Sequence, residues 1–269
     1  MTTPVLHDVI ETLDTPFTIG ERELKSRLMV GTGKYVSNSQ MLAALEASGA
    51  EVVTVAVRRV NRERDRAEGI FGHLSPERYF LLANTAGCFN ADDAIRYARL
   101  APAAGFNEWV MLEVIGDQQS LLPDTRATIE ATRVLTAEGF KVMAFTNDDL
   151  VTALRLEDAG AVCLMPLGSP MGSGLGLLNS SAIRTIRHRL HLPVVIAAGV
   201  GTASDAAMAM EQGVDGILVN SGIASASDPV RMAAAMRLAV EAGRLAYLAG
   251  RMPRREVAVP SSPVTGMLG

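Results

Sequence analysis

The strongest constraint on this chain is an eightfold alternation between short apolar runs rich in β-branched residues and longer segments with helical spacing. The runs fall at residues 28–30, 52–57, 79–82, 109–115, 142–145, 161–167, 193–198 and 216–219. Apolar positions three to four residues apart fill 40–47, 91–100, 125–138, 150–159, 181–189, 203–212 and 229–248, the period of an amphipathic helix. Gly49, Gly139, Gly160 and Gly213 each stand just past a helical pattern and shortly before the next strand, where helix C-caps fall. Eight strand-helix units predict a closed parallel (β/α)8 TIM barrel. An open doubly wound sheet is the second reading, but no Gly-x-Gly-x-x-Gly opens the first helix. The 269 residues read as one barrel domain with a short N-terminal extension and a C-terminal tail. The least regular stretch, 61–73, carries five consecutive charges from Arg62 to Arg66 and reads as a solvated loop or short helix.

A composition 48% hydrophobic but 4% aromatic predicts a core of aliphatic layers. The net charge of −4 provides no bulk basic field for nucleic acid or an anionic membrane. No run reaches the ~18 to 20 apolar residues that span a bilayer, and the N-terminus lacks a basic end followed by an apolar core. A soluble cytoplasmic protein is expected. Cys88 and Cys163 have neither metal nor disulfide spacing, and the four histidines form no ligand cluster, so no metal site or cofactor is expected.

In a barrel the chemistry collects at the carboxyl ends of the strands. Here those ends are Gly31-Thr32-Gly33-Lys34, Arg58-Arg59, Asn84-Thr85-Ala86-Gly87, Glu113, Thr146-Asn147-Asp148, Gly172-Ser173-Gly174, Gly199-Val200-Gly201 and Asn220-Ser221-Gly222. The last three are small or glycine-rich and precede helical segments, which leaves backbone N–H groups to surround an anion. Any one such turn could merely be a tight connection. Three converging turns predict a phosphate site, because barrel phosphate sites arise from the later loops. Arg58 and Arg59 allow two roles, clamping an anion or pairing with a neighbouring acid. Cys88 follows the third strand, but no histidine accompanies it, which makes it a weak nucleophile candidate.

The run Trp109-Val110-Met111-Leu112-Glu113-Val114-Ile115 holds one acid in an apolar stretch. Strand alternation puts Met111, Glu113 and Ile115 on one side and Leu112 and Val114 on the other. Met111 taken alone is a core methionine beside a buried acid.

The chain resembles the bacterial thiazole synthase family of thiamin biosynthesis. The motifs that carry the resemblance are Ser26-Arg27-Leu28-Met29-Val30-Gly31-Thr32-Gly33-Lys34, Val53-Thr54-Val55-Ala56-Val57-Arg58-Arg59, Asn84-Thr85-Ala86-Gly87, Leu112-Glu113-Val114-Ile115, Met165-Pro166-Leu167-Gly168, Gly172-Ser173-Gly174-Leu175-Gly176 and the tail Ser261-Ser262-Pro263-Val264-Thr265-Gly266. The resemblance implies a barrel enzyme that condenses 1-deoxy-D-xylulose 5-phosphate with dehydroglycine. Sulfur would come from the C-terminal thiocarboxylate of a small ubiquitin-like carrier protein, and the enzyme would be a homo-oligomer. It also implies phosphate and sugar contacts at Gly172, Ala198, Gly199, Asn220 and Ser221, the turns already selected for an anion.

The departures fall where the family's chemistry is expected. The resemblance puts an imine-forming lysine where this chain has Met111 and an aspartate where it has Ala197. A thioether cannot form an imine, which requires a primary amine. Of the three lysines, Lys25 and Lys141 precede or open strands and belong to the opposite, stabilising end, so only Lys34 follows a strand. Lys34 fits electrostatic contact with an anion better than replacement of the covalent amine. Loss of one cation and one anion together leaves no orphaned buried ion. Glu113, deprived of the expected lysine, should have a raised pKa and could serve as a proton donor. Two functions follow: a diverged sugar-phosphate enzyme using Glu113 without an imine, or a catalytically silent paralogue that binds a sugar phosphate or the sulfur carrier.

Overall fold

The computed structural model describes residues 13–60 and 70–262. The charged run from Arg62 to Arg66 and the last four residues of the tail motif lie outside those residues. The strands are β1 (Phe17–Ile19), β2 (Arg22–Leu24), β3 (Leu28–Gly31), β4 (Val52–Ala56), β5 (Phe80–Asn84), β6 (Trp109–Leu112), β7 (Lys141–Thr146), β8 (Cys163–Pro166), β9 (Val195–Ile196) and β10 (Gly216–Val219). The last eight form one parallel sheet in the order β8-β7-β6-β5-β4-β3-β10-β9. Its two ends meet through parallel bridges from Leu164 to Val194 and from Leu167 to Ala198. The Ala197 N–H donates to the Pro166 carbonyl at 3.1 Å, and the Leu164 N–H donates to the Pro193 carbonyl at 3.0 Å. These bonds close the (β/α)8 barrel.

Seven helices of nine or more residues alternate with the barrel strands among the described residues: Asn38–Ser48, Ala91–Leu100, Thr125–Ala137, Leu150–Asp158, Ser180–Arg189, Ala203–Glu211 and Pro229–Ala249. Their starts are written locally. The side chains of Ser37, Asn90, Asp124, Asp149, Asn179 and Asp228 each accept a first-turn N–H, and Thr202 with Asp205 forms a capping box. The four glycines expected at helix ends all have positive φ, for example 61° at Gly49, which favours glycine there. Of the irregular stretch before β5, Ile70–His73 is a short helix.

The alternation inferred for the β6 run holds, although the strand itself ends at Leu112. Met111 and Ile115 belong to the barrel interior with Met29, Leu82, Met143, Phe145 and Met165. Leu112 and Val114 belong to the larger layer between sheet and helices. No helix among the described residues is long and apolar enough to cross a membrane.

The sequence pattern did not reveal the β1–β2 hairpin, because three-residue strands are too short to show a period. Its Phe17, Ile19 and Leu24 are buried and close the amino end of the barrel against Met29, Val52 and Trp109. Lys141 reaches Glu21 in the hairpin turn at 3.4 Å, which confirms its place at the end opposite the carboxyl mouth.

Asp14, just before β1, locks this end. Its carboxylate accepts from Arg27 Nε at 2.7 Å, Arg27 Nη2 at 3.1 Å and Arg244 Nε at 3.0 Å, both arginines being buried. Lys25, Arg27 and Arg244 also line a cavity of about 440 Å³ here. Burial alone would raise the Asp14 carboxyl, but the hydrogen bonds and charges of Arg27 and Arg244 hold it below the ordinary carboxylate range. A depressed carboxyl stabilises the fold above that range and loses its contribution as pH falls through it. Asp14→Asn leaves two buried arginines without their anion. It should lower unfolding stability at pH 7 by about 3 kcal/mol in denaturant titration, with the deficit shrinking in acid.

Candidate functional site

Glu113 lies at the carboxyl mouth immediately after β6, and its backbone is fixed by the turn that follows β5. The Thr85 hydroxyl accepts the Glu113 N–H and donates to the Glu113 carbonyl, each at 2.8 Å. The Thr85 N–H donates to the Met111 carbonyl at 3.2 Å, and the Cys88 carbonyl accepts the Ile115 N–H at 2.8 Å. The strand register thus persists beyond the ladder and delivers the carboxylate into a site where the residue is 5% exposed. Burial lifts the Glu113 carboxyl to about 7, against the opposing pull of the Gly87 N–H donated to it and the positive charge of Arg58. Arg58 therefore supplies a cation where the sequence suggested that Glu113 had lost one. A side chain at Gly87 would fall 1.9 Å from Arg58 Nη1, so glycine lets the guanidinium lie across the turn.

Cys88 is unsuited to nucleophilic chemistry. Burial and, secondarily, the negative charges of Asp93 and Glu113 push its thiol up to about 11, so the thiolate is scarce at neutral pH.

The loop after β8 is sewn to the loop after β9. The Gly168 N–H donates to the Ala198 carbonyl at 3.0 Å and the Gly176 N–H to the Gly199 carbonyl at 2.8 Å. Gly199 presses on Ser169 so closely that a side chain there would lie 2.1 Å from Ser169 Oγ. Within this turn Asp205 Oδ2 accepts the Gly201 and Thr202 N–H groups at 3.0 and 3.1 Å. The Thr202-x-x-Asp205 spacing could have signalled this in the sequence.

Cationic and polar side chains gather from other strand ends. A side chain on Gly172 would lie 3.6 Å from Lys34 Nζ and 4.0 Å from Ser221 Oγ, so both groups surround the empty face of this glycine. A side chain on Gly33 would lie 3.0 Å from Asn220 Nδ2 and 3.1 Å from Arg59 Nη1. Asn220 Oδ1 is buried with no hydrogen-bond partner among the described residues. Lys34 is exposed and has φ 70°, a left-handed conformation that is costly for a residue with a side chain. The mouth thus joins Lys34, Arg59, Gly172, Asn220 and Ser221 from the ends of β3, β4, β8 and β10.

Below the mouth, Met111 and Ala197 lie in the same interior apolar cluster, 4% and 8% exposed. Leu167, Ala198 and Leu218 belong to it as well. No cluster of three or more histidine, cysteine, aspartate or glutamate side chains among the described residues could hold a metal ion.

Residues 18–263 match the family described as "Thiazole biosynthesis protein ThiG". The chain is 55% identical to the thiazole synthase of Geobacter sulfurreducens over 252 residues, covering 93% of this chain and 96% of that protein. It is 54% identical to the thiazole synthase of Rhodospirillum rubrum, covering 95% and 88% respectively. A solved structure, the Amycolatopsis orientalis BexX/CysO complex, superposes with a TM-score of 0.81 at 37% identity, over 91% of this chain and 100% of that chain. Thiamine phosphate pyrophosphorylase from Pyrococcus furiosus shares the fold at 18% identity and a TM-score of 0.56.

The strain at Lys34 separates stability from binding. Lys34→Gly relieves the left-handed backbone and should leave folding stability unchanged or raise it by about 1 kcal/mol. The same change should weaken phosphate binding at least as much as Lys34→Ala, with thermal unfolding and calorimetric titration as the two readouts.

Proposed function

The chain belongs to the thiazole synthase family, and from that premise we propose that it acts on 1-deoxy-D-xylulose 5-phosphate or a related sugar phosphate without forming an imine. The observation that carries this reading is the convergence of Lys34 Nζ and Ser221 Oγ over Gly172, beside Asn220 and Arg59, above an apolar interior cluster that includes Met111 and Ala197. The phosphate is held at that rim. Its two negative charges meet Lys34 and Arg59, while hydroxyl and amide donors of Ser221 and Asn220 fix its orientation.

The sugar carbons extend into the barrel toward Glu113. With its carboxyl at about 7, Glu113 retains a proton through a substantial part of the neutral range. It hydrogen-bonds the ketone oxygen and, as the thiocarboxylate sulfur adds to the carbonyl carbon and the C=O π pair moves onto oxygen, gives that oxygen its proton as a general acid. Arg58 and the Gly87 N–H then stabilise the carboxylate left behind. The thioether of Met111 takes no part in covalent chemistry.

Sulfur donation by the thiocarboxylate of a small ubiquitin-like carrier protein is part of the proposal. It draws support from the similar Amycolatopsis chain, whose structure is a complex with a second protein, CysO. The second reading, a silent paralogue that binds the same phosphate, is favoured by the apolar character of both Met111 and Ala197.

Borohydride reduction in the presence of 1-deoxy-D-xylulose 5-phosphate should give no covalent adduct in mass spectrometry, while calorimetry detects binding. An adduct on Lys34 sinks the noncovalent mechanism, and binding without turnover in the presence of sulfur donor selects the silent paralogue. The Glu113 proton gives a further check. A carboxyl raised in the folded state makes stability fall as pH rises through the window from 4.5 to about 7, because the unfolded chain releases its proton first. Glu113→Gln should flatten that part of the stability profile. It should also abolish turnover at every pH, whereas the unaltered protein should lose activity only as Glu113 deprotonates above about 7.

A further inference from the structure

The pairing of β5 with β6 runs on past both strands, and at the mouth it passes through a bulge. Asn84 pairs in register with Met111, and the Thr85 N–H continues the ladder by donating to the Met111 carbonyl at 3.2 Å. Two residues further along, an unbroken parallel ladder would join the Glu113 N–H to the Thr85 carbonyl and the Gly87 N–H to the Glu113 carbonyl. Both bonds are replaced. The Thr85 carbonyl accepts the Cys88 N–H at 3.2 Å, and the Thr85 hydroxyl takes the Glu113 N–H and supplies a donor to the Glu113 carbonyl, each at 2.8 Å. Pairing then resumes where the Ile115 N–H meets the Cys88 carbonyl at 2.8 Å, one residue later than an unbroken ladder would place it. One extra residue on the β5 side is the signature of a bulge, a device that re-aims groups beside functional sites.

Each N–H of the bulge has an acceptor. Thr85 gives its own to Met111, Cys88 gives its own to Thr85, and Ala86 donates to Asn84 Oδ1 at 3.1 Å. The Gly87 N–H alone turns to a titratable side chain, the Glu113 carboxylate. Gly87 has φ 83° and lies against Arg58, so the same residue that tolerates the bulge also admits the guanidinium. Thr85 is buried, which makes its hydroxyl a fixed replacement for a peptide group. Without that hydroxyl the buried Glu113 carbonyl would claim the Gly87 N–H, the donor that an unbroken ladder assigns to it. The carboxylate would then lose its backbone donor.

We infer that Thr85 is a positioning residue for Glu113: its hydroxyl satisfies both backbone groups of Glu113, holds the bulge open and so reserves the Gly87 N–H for the Glu113 carboxyl. The inference rests on the reading of Glu113 as the proton donor. It adds what keeps that carboxyl in one place, a hydroxyl whose own partners are backbone atoms. The charged and titratable groups that act on Glu113 are Arg58, across Gly87, and Cys88, whose thiol keeps its proton at neutral pH. Loss of the Thr85 hydroxyl therefore reaches the carboxyl through Gly87.

Infrared difference spectra of the full chain against Glu113→Gln isolate the protonated Glu113 carboxyl and give its titration midpoint with no substrate present. Thr85→Val keeps the side-chain volume and removes the hydroxyl. It should raise the proton affinity of Glu113 on the order of tenfold, the worth of one charge-assisted hydrogen bond, and carry the descending limb of the turnover profile to higher pH. Turnover of 1-deoxy-D-xylulose 5-phosphate should fall while KM holds, since the rim that meets phosphate is untouched. Thr85→Ser retains the hydroxyl and should titrate like the unaltered chain. If Thr85→Val does not fold, Thr85→Cys supplies a weaker donor of similar size and should move the midpoint the same way, several-fold. A less stable variant whose midpoint stays in place or falls overturns the inference and leaves Glu113 as the proton donor. Turnover that survives Glu113→Gln, or a Glu113 midpoint within the ordinary carboxylate range in the unaltered chain, overturns the proton-donor reading itself.

Discussion

Closure of the parallel sheet between β8 and β9 is the constraint on which the rest of the molecule depends. β9 is only two residues long, and the seam is completed by bridges at Val194 and Ala198 on either side of it. Without that seam the sheet would have two unpaired edges, and the later loops would not face the earlier ones. With it, Lys34 from the first barrel strand meets Gly172 from the sixth, and Asn220 from the eighth packs beneath Gly31 and beside Arg59. The cluster at the mouth is a consequence of closure, since Lys34, Arg59, Gly172 and the Asn220–Ser221 pair come from four segments far apart along the chain.

Electrostatics inside the barrel follow the same geometry. Met111 and Ala197 bring no charge to an interior that supplies little water, and neither leaves a partner stranded. Glu113 is the exception, a carboxyl 5% exposed and facing Arg58 across Gly87. Its desolvation outweighs the help of one backbone N–H and one solvated guanidinium, which is why its proton is held to about 7. The two ends of the barrel differ in this respect. Asp14, with two buried arginines in direct contact, is driven the other way and remains ionised.

Local backbone freedom is spent where loops approach one another. Gly199 against Ser169 and Gly87 beneath Arg58 occupy positions where any side chain would overlap its neighbour. Lys34 instead accepts a positive φ with its side chain intact. That strained backbone brings the Lys34 ammonium to the face of Gly172 that Ser221 also borders.

Much of this was legible in the amino-acid order. Helical spacing, capping residues such as Asp124 and Asp228, and the apolar strand runs specify their elements through neighbours a few residues away, and counting eight units then fixes the barrel. Alternation along β6 likewise assigned Met111 to the interior, because side-chain direction in a strand is a local property. The β1–β2 hairpin escaped notice because six strand residues bury only three apolar side chains, too few to make a pattern. What only the tertiary structure decided are the long-range contacts: Arg58 rather than a lysine facing Glu113, Asp205 occupying the N–H groups of the Gly199–Gly201 turn, and Lys34 brought to Gly172. The sequence by itself determined the elements and the side each residue faces, since those depend on backbone geometry over a few residues. The charge state and contacts of the site belong to the closed barrel, because burial and Coulomb interactions depend on distances between residues that the chain order leaves far apart.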